Sequence, residues 1–246
     1  MGAINAERPV GQLVAEQPTR ARVFERNGID YCCGGKVALE VIANRKGIHL
    51  DTLLKELAAV DLAESSIDET NWTQASLTAL TDHIETTHHA YLKEELPRLS
   101  FLVDKVNRVH GDTHAELAEV HEVFETFRKD MEQHMAKEEL ILFPICRSID
   151  SGTLKQSHCG SIRNPIRVME AEHDAAGSGL ERIRELTAGF TPPQDACNTY
   201  RVMLDGLAGL EADTHTHVHK ENNILFPRAT AREDQLTGNT GSAIAA

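Results

Sequence analysis

Two segments of this chain repeat one pattern. His134-Met-Ala-Lys-Glu138 is followed by Glu-Leu-Ile-Leu-Phe-Pro144, and His217-Val-His-Lys-Glu221 by Asn-Asn-Ile-Leu-Phe-Pro227. Both read H-x3-E-x2-I-L-F-P, and an aspartate stands four residues before each histidine, at Asp130 and Asp213. An internal repeat constrains a fold strongly, because one supersecondary unit must then be built twice. The four-residue spacing places imidazole and carboxylate one turn apart on the same face of an α-helix, where they converge on one point. Apolar residues share that face, Phe127 and Ile141 around the first pair and Leu210 and Ile224 around the second. The pairs therefore face inward, where a carboxylate is rare unless paired or bound to metal. A surface His–Glu pair would instead turn those apolar flanks to solvent.

Each repeat has a histidine one helical hairpin upstream. His173 lies 44 residues before His217, with Ile166, Met169, Ala176 and Leu180 on its face. The matching count back from His134 lands on His89, 45 residues earlier. Its neighbour His88 competes, sharing a better apolar stripe with Leu77, Ile84, Leu92 and Leu99; the repeat spacing favours His89. Glu211, His215 and His219 form another i, i+4 series without a counterpart in the first copy, and it reads as solvated.

The periodicity gives long helices over about 77–96 (resuming to 109 after a kink or fresh turn at Pro97), 115–143, 166–187 and 197–226, with no strand-like alternation. Residues 148–164 read as a loop. The expected fold is all-α, an up-down-up-down four-helix bundle over residues 75–230. Before it, residues 1–62 read as a small helical domain punctuated by Pro9, Pro18, Gly28, Gly34-Gly35 and Gly47, with a helix over Thr52–Val60 capped by Asp51. Residues 63–74 read as an acidic linker and 231–246 as a flexible tail.

Four histidines and two glutamates exceed the three or four ligands of a zinc site and suit two ions of iron or manganese. Two glutamates can each bridge ions about 3.5–4 Å apart. Two octahedral ions offer about twelve positions; bridging glutamates, histidines and a bridging oxide or hydroxide leave about two open to small molecules. Asp130 and Asp213 are candidate partners for the ligands, though ordinary polar residues fit equally well.

Composition supports this reading. Thirteen histidines, twelve of them between His83 and His219, stand beside 38 acidic residues in a chain of net charge −13. That balance argues against general nucleic-acid or anionic-membrane binding. No apolar run approaches the roughly 20 residues of a membrane span, and the N-terminus lacks a secretory layout, so a cytoplasmic protein is expected. Five cysteines at 32, 33, 146, 159 and 197 form no paired framework. Cys146, Cys159 and Cys197 read as packing or incidental residues. Cys32 and Cys33 precede Gly34-Gly35, which permits a tight turn with accessible thiols, and a helix from about Lys36 would lower their pKa. The bland alternative is a pair of small buried residues in a turn.

Asp30-Tyr-Cys-Cys-Gly-Gly35 ahead of a bundle with two H-x3-E pairs resembles the bacterial iron–sulfur cluster repair di-iron proteins, the Repair of Iron Centres family. Glu95-Leu-Pro97, Lys105-Val-Asn-Arg-Val-His110, Pro165-Ile-Arg-Val-Met-Glu170 and Thr191-Pro-Pro193 through Ala196-Cys197 extend the likeness over roughly residues 8–229. The resemblance implies a hemerythrin-like bundle holding two iron ions, oxo- or hydroxo-bridged, through His89, His134, Glu138, His173, His217 and Glu221. It implies Cys32 and Cys33 as redox or iron-transfer thiols. Damaged iron–sulfur proteins are the implied partners, nitric oxide and dioxygen the small ligands, and a homodimer the expected assembly. Repair after nitrosative or oxidative stress, with iron donation or nitric oxide reduction, is the implied function. A hemerythrin-like carrier or sensor of O₂ or NO is the alternative, against which the exposed thiols speak. A zinc-stabilised structural bundle is the third.

Overall fold

The computed structural model describes residues 4–63, 71–153 and 160–242. Among these the regular structure is helical, with one isolated antiparallel bridge between Pro9 and Ala38. The all-α expectation holds. Residues 64–70, most of the expected linker, lie outside the described residues, as do 154–159 and 243–246.

The N-terminal unit comprises α1 (Val10–Glu16), α2 (Ala21–Arg26), α3 (Leu39–Lys46) and α4 (Leu50–Ala63). Helices this short are marginal alone, so their order comes from a shared core of Val10, Leu13, Phe24, Leu39, Leu53 and Leu57. Arg20 closes the unit on α4, its Nε 2.9 Å from Asp61. Asp51 sits in the first turn of α4 and not at its cap, because the helix begins two residues earlier than the sequence suggested.

The bundle has four rods. The first is α5 (Leu77–Ile84), a π-helical turn over Glu85–His89, and α6 (Ala90–His110). The second is α7 (Glu116–Lys137), a π turn over Glu138–Leu142, and α8 (Phe143–Asp150). The third, α9 (Arg163–Leu186), is unbroken. The fourth is α10 (Asn198–Lys220), a π turn over Glu221–Leu225, and α11 (Phe226–Ser242). Neighbours in sequence are neighbours in space: α6 packs on α7, α7 on α9, α9 on α10, and α10 back on α6. Ser76 caps the first rod by accepting the Ala79 N–H at 3.0 Å. That rod continues through Pro97, which is exposed, so water can serve the carbonyl its ring frees.

The fourth rod outruns the expected boundary. Residues 231–242 read as a flexible tail from their Gly, Ser and Thr content, yet they continue α11. Glu233 supplies the reason: it is buried and accepts Ile162 N–H at 2.8 Å and Ser161 O–H at 2.6 Å, placing a carboxylate at the start of α9.

The core divides into two apolar layers. One gathers Leu92, Leu96, Val120, Phe124, Met131 and Leu207 among others; the second gathers Leu80, Ile84, Leu142, Phe143, Met169 and Phe226. Between them each rod crosses a polar layer at the positions the sequence marked, His89, His134 to Glu138, His173, and His217 to Glu221.

Candidate metal centre

The six sequence-predicted side chains meet. His89, Glu138, His217 and Glu221 present donor atoms within 4.8 Å of one another, and so do His134, Glu138, His173 and Glu221. The two quartets share both glutamates. Glu138 Oε2 lies 3.3 Å from His89 Nε2 and 3.3 Å from His134 Nε2. Glu221 lies 3.0 Å from His173 Nε2 through Oε2 and 3.2 Å from His217 Nε2 through Oε1. His88 belongs to neither quartet, as the repeat spacing indicated.

All six are buried, and Glu138 and Glu221 have no exposed surface. Both oxygens of each glutamate, with His89 Nε2 and His217 Nε2, are buried without a hydrogen-bond partner. An unmet acceptor in a dry interior costs roughly 1–3 kcal/mol, more when charged, so such a concentration fits a cation site. Burial, reinforced by the charge of a neighbouring histidine, pushes His89 and His134 down to about 4 and leaves them neutral, the form that ligates. Burial, then the charge of Glu221, pushes the Glu138 carboxyl well above the usual range. Burial acts on Glu221 in the same sense, but His217 and His173 outweigh it and hold Glu221 well below. Two carboxylates this close share a proton unless cations replace it. The donor set and its empty valences fit two metal ions.

Outer contacts aim the rings. His89 Nδ1 donates to Glu139 at 2.8 Å, His134 Nδ1 to Glu172 at 3.0 Å, and His173 Nδ1 to Asn222 at 2.9 Å, turning each Nε2 toward the centre. Phe143 stacks on His89 and Phe226 on His173, at centroid distances of 5.5 and 6.0 Å. Glu139, Glu172 and Asn222 escaped the sequence reading, which looked one turn upstream. The overlooked signal was the residue after each repeat glutamate, and the phenylalanine both copies share. Asp130 is exposed. Asp213 instead accepts from His88 Nδ1 at 2.8 Å, and His88 stacks parallel to His217 at 5.4 Å.

The π turns also move one expected contact. Ile141, taken as an inward flank, is 44% exposed, and Leu142 is buried in its place. A π turn adds a residue to the ladder and shifts everything after it around the helix axis. Each copy then has a proline, Pro144 or Pro227, whose ring crowds the carbonyl four residues back.

The thiols lie behind this centre. Cys32 is buried and Cys33 half-buried, and Cys33 Sγ is 3.6 Å from the His173 carbonyl oxygen. The helix expected from Lys36 begins at Leu39. The Cys32 thiol is pushed up instead, by its contact with Cys33, by burial and by Asp30. The unit docks through Asn223, whose Nδ2 donates to the Tyr31 and Cys32 carbonyls at 3.3 and 3.0 Å. Its Oδ1 nests against Gly11 and Gly35, where any Cβ would lie 2.2 and 2.3 Å away.

Comparison with known proteins follows the same division. Residues 80–229 match the hemerythrin HHE cation binding domain, and residues 6–61 match a domain of unknown function, DUF542. The chain is 40% identical over 227 residues, 92% of its length and 98% of the relative's, to the iron-sulfur cluster repair protein YtfE of Enterobacter sp. (strain 638). It is 37% identical over 223 residues (91% and 96%) to the probable iron-sulfur cluster repair protein of Haemophilus influenzae. This chain belongs to the iron–sulfur cluster repair protein family. The resemblance read from the Cys-Cys-Gly-Gly segment and the paired H-x3-E motifs is thereby borne out.

Other positions in this family member depart from the sequence reading. Glu211 and His219, read as solvated, are buried. Glu211 accepts from Arg184 Nε at 2.9 Å. His219 packs edge-on to Tyr31 at 5.4 Å under the N-terminal unit, and burial lowers it to about 4; His215 is half-buried at 6.4 Å from Tyr31. His215 and His219 thus meet the N-terminal unit, and Glu211 meets the neighbouring rod. Cys146 lies in the apolar core. Cys197 is exposed at the start of α10, where the Tyr200 N–H and His110 hold its thiol down to about 7. Cys159 lies outside the described residues. Among the described residues, no helix is long and apolar enough to cross a membrane.

Proposed function

We propose that this chain is a di-iron protein that supports repair of iron–sulfur clusters damaged by nitrosative or oxidative stress. The observation that carries the reading is the pair of buried quartets sharing Glu138 and Glu221, with both oxygens of each glutamate and the Nε2 atoms of His89 and His217 unpaired. His89 and His217 would hold one iron and His134 and His173 the other, with both glutamates bridging. The relatives' names supply the repair context. Iron held by these residues would supply one-electron chemistry and coordination positions for small ligands such as nitric oxide or dioxygen.

The chain's own residues do the rest. Glu139, Glu172 and Asn222 accept from the Nδ1 atoms of three imidazoles and turn each Nε2 inward. The apolar layers on either side exclude water from the centre. Cys32 and Cys33 would pass iron or reducing equivalents between the centre and a damaged client protein, a role supported by the contact of Cys33 with the His173 carbonyl. Residues 1–62 thus act as the thiol module and 75–230 as the iron module of a cytoplasmic protein that pairs as a homodimer.

Metal analysis and visible absorption of the purified protein test the reading. About two irons per chain with an oxo-bridge band are expected, both lost on Glu138→Ala and on Glu221→Ala. One zinc per chain would overturn it. Replacing Cys32 and Cys33 by Ser should abolish recovery of a damaged cluster enzyme while leaving the bundle iron in place.

A further inference from the structure

The turn that carries the thiols has the geometry of a separate metal site. Donor atoms of Asp30, Cys32 and Cys33 all lie within 4.8 Å of one another. The two sulfurs are 3.8 Å apart, and Cys32 Sγ is 3.2 Å from Asp30 Oδ1. Metal–sulfur bonds of about 2.3 Å at a tetrahedral angle span a sulfur–sulfur edge of about 3.8 Å. A disulfide would need the sulfurs about 2.05 Å apart, with strain between adjacent residues.

Backbone groups fix the third donor. Asp30 Oδ1 accepts the N–H groups of Cys32 and Cys33 at 3.0 Å each, and Oδ2 accepts that of Gly34 at 2.8 Å. The turn has no room for a side chain at Gly35, where a Cβ would stand 2.5 Å from the Tyr31 carbonyl oxygen. Two cavities open on the thiols. One of about 140 Å³ reaches Asn222, the partner of His173. A groove of about 590 Å³ reaches the surface of the N-terminal unit, and Glu25, Asp30, Asp174, Glu181 and Glu211 line it against Lys46 and Arg184. Such a lining attracts cations and not anions. Asp174 lines both cavities and adds to their negative charge.

We propose that Asp30, Cys32 and Cys33 form a mononuclear site for a thiophilic divalent cation, separate from the dinuclear centre and fed through the acidic groove. Ferrous iron is the occupant in the cell, a choice that rests on the repair reading above; the geometry does not depend on it. Binding releases the thiol protons to solvent and changes no oxidation state.

Anaerobic titration of the full chain with Co²⁺, after its bundle has been loaded with iron, tests the site. One Co²⁺ per chain should bind with a thiolate-to-cobalt charge-transfer band in the near ultraviolet. The band should vanish when Cys32 and Cys33 are both Ser, and Asp30→Asn should weaken binding by about tenfold or more. Glu138→Ala should leave the band intact. No band in the unaltered chain, or a band that survives the double Ser variant, overturns the site. Should the double Ser variant lose bundle iron through misfolding, Asp30→Asn decides, and unchanged Co²⁺ affinity there overturns the site. Two irons in the bundle without a cobalt band would sink only this proposal; a cobalt band without bundle iron would sink only the di-iron reading.

Discussion

The two copies of H-x3-E-x2-I-L-F-P do the same work at the centre and different work around it. In both, the glutamate enters both quartets, the next residue holds the hairpin's other histidine, and the phenylalanine stacks on that histidine. Outside the centre they part. Leu140 is 77% exposed, whereas Asn223 at the same motif position is the peg on which the N-terminal unit sits. Ile141 is 44% exposed and Ile224 only 4%, because α1 packs over the second π turn and Ala15 over its apolar layer. The partners of the two motif histidines differ as well: His134 donates to the Glu172 carboxylate, while His217 is stacked by His88 and its Nδ1 is unpartnered. The chain thus keeps the repeat where the two quartets share their glutamates, and breaks it where one side must receive a second domain.

The largest effect should come from the shared glutamates. Glu138→Ala and Glu221→Ala should each empty both metal positions, since each removes a donor from both quartets; selective loss of one ion in metal analysis would break the symmetry described. Next come the isoleucines. Ile224→Ala should destabilise the fold by about 2–4 kcal/mol and Ile141→Ala by well under about 1 kcal/mol, read from denaturant midpoints at constant slope. Equal costs would mean that the second copy is not covered as described. Glu172→Gln and Glu139→Gln should each weaken metal affinity by about 10–100-fold in chelator competition, with His88→Phe falling short of either, because those two carboxylates hydrogen-bond a ring of the centre whereas His88 only stacks on one. The smallest contrast is at the peg. Asn223→Ala should cost about 1–2 kcal/mol and raise the alkylation rate of Cys32, whereas Leu140→Ala should change neither.

Much of the centre was legible because its information is periodic. The spacings within each copy and between hairpins name all six donors without reference to tertiary contacts, and the choice of His89 over His88 came from the same arithmetic. The partners were less legible for a definite reason. Glu139 serves His89 across 50 residues and Glu172 serves His134 across 38, so each bond joins two rods whose relative rotation no local pattern reports. Asp130 and Asp213 looked better placed on their own helices, yet one is exposed and the other is held by His88. A similar gap explains His219, which meets Tyr31 188 residues away in sequence, and Glu211, which is held by Arg184 on the neighbouring rod.

Sequence alone determined the helical class, the two hairpins and the identity of the six inward donors, because helix periodicity and a repeated motif are properties of neighbours along the chain. Only the tertiary structure decided where the π turns shift the apolar face, which side chains aim the imidazoles, and that Asn223 fastens the thiol turn against His173. Those outcomes depend on how rods are rotated and which face a second domain covers, and both are set by packing between distant segments.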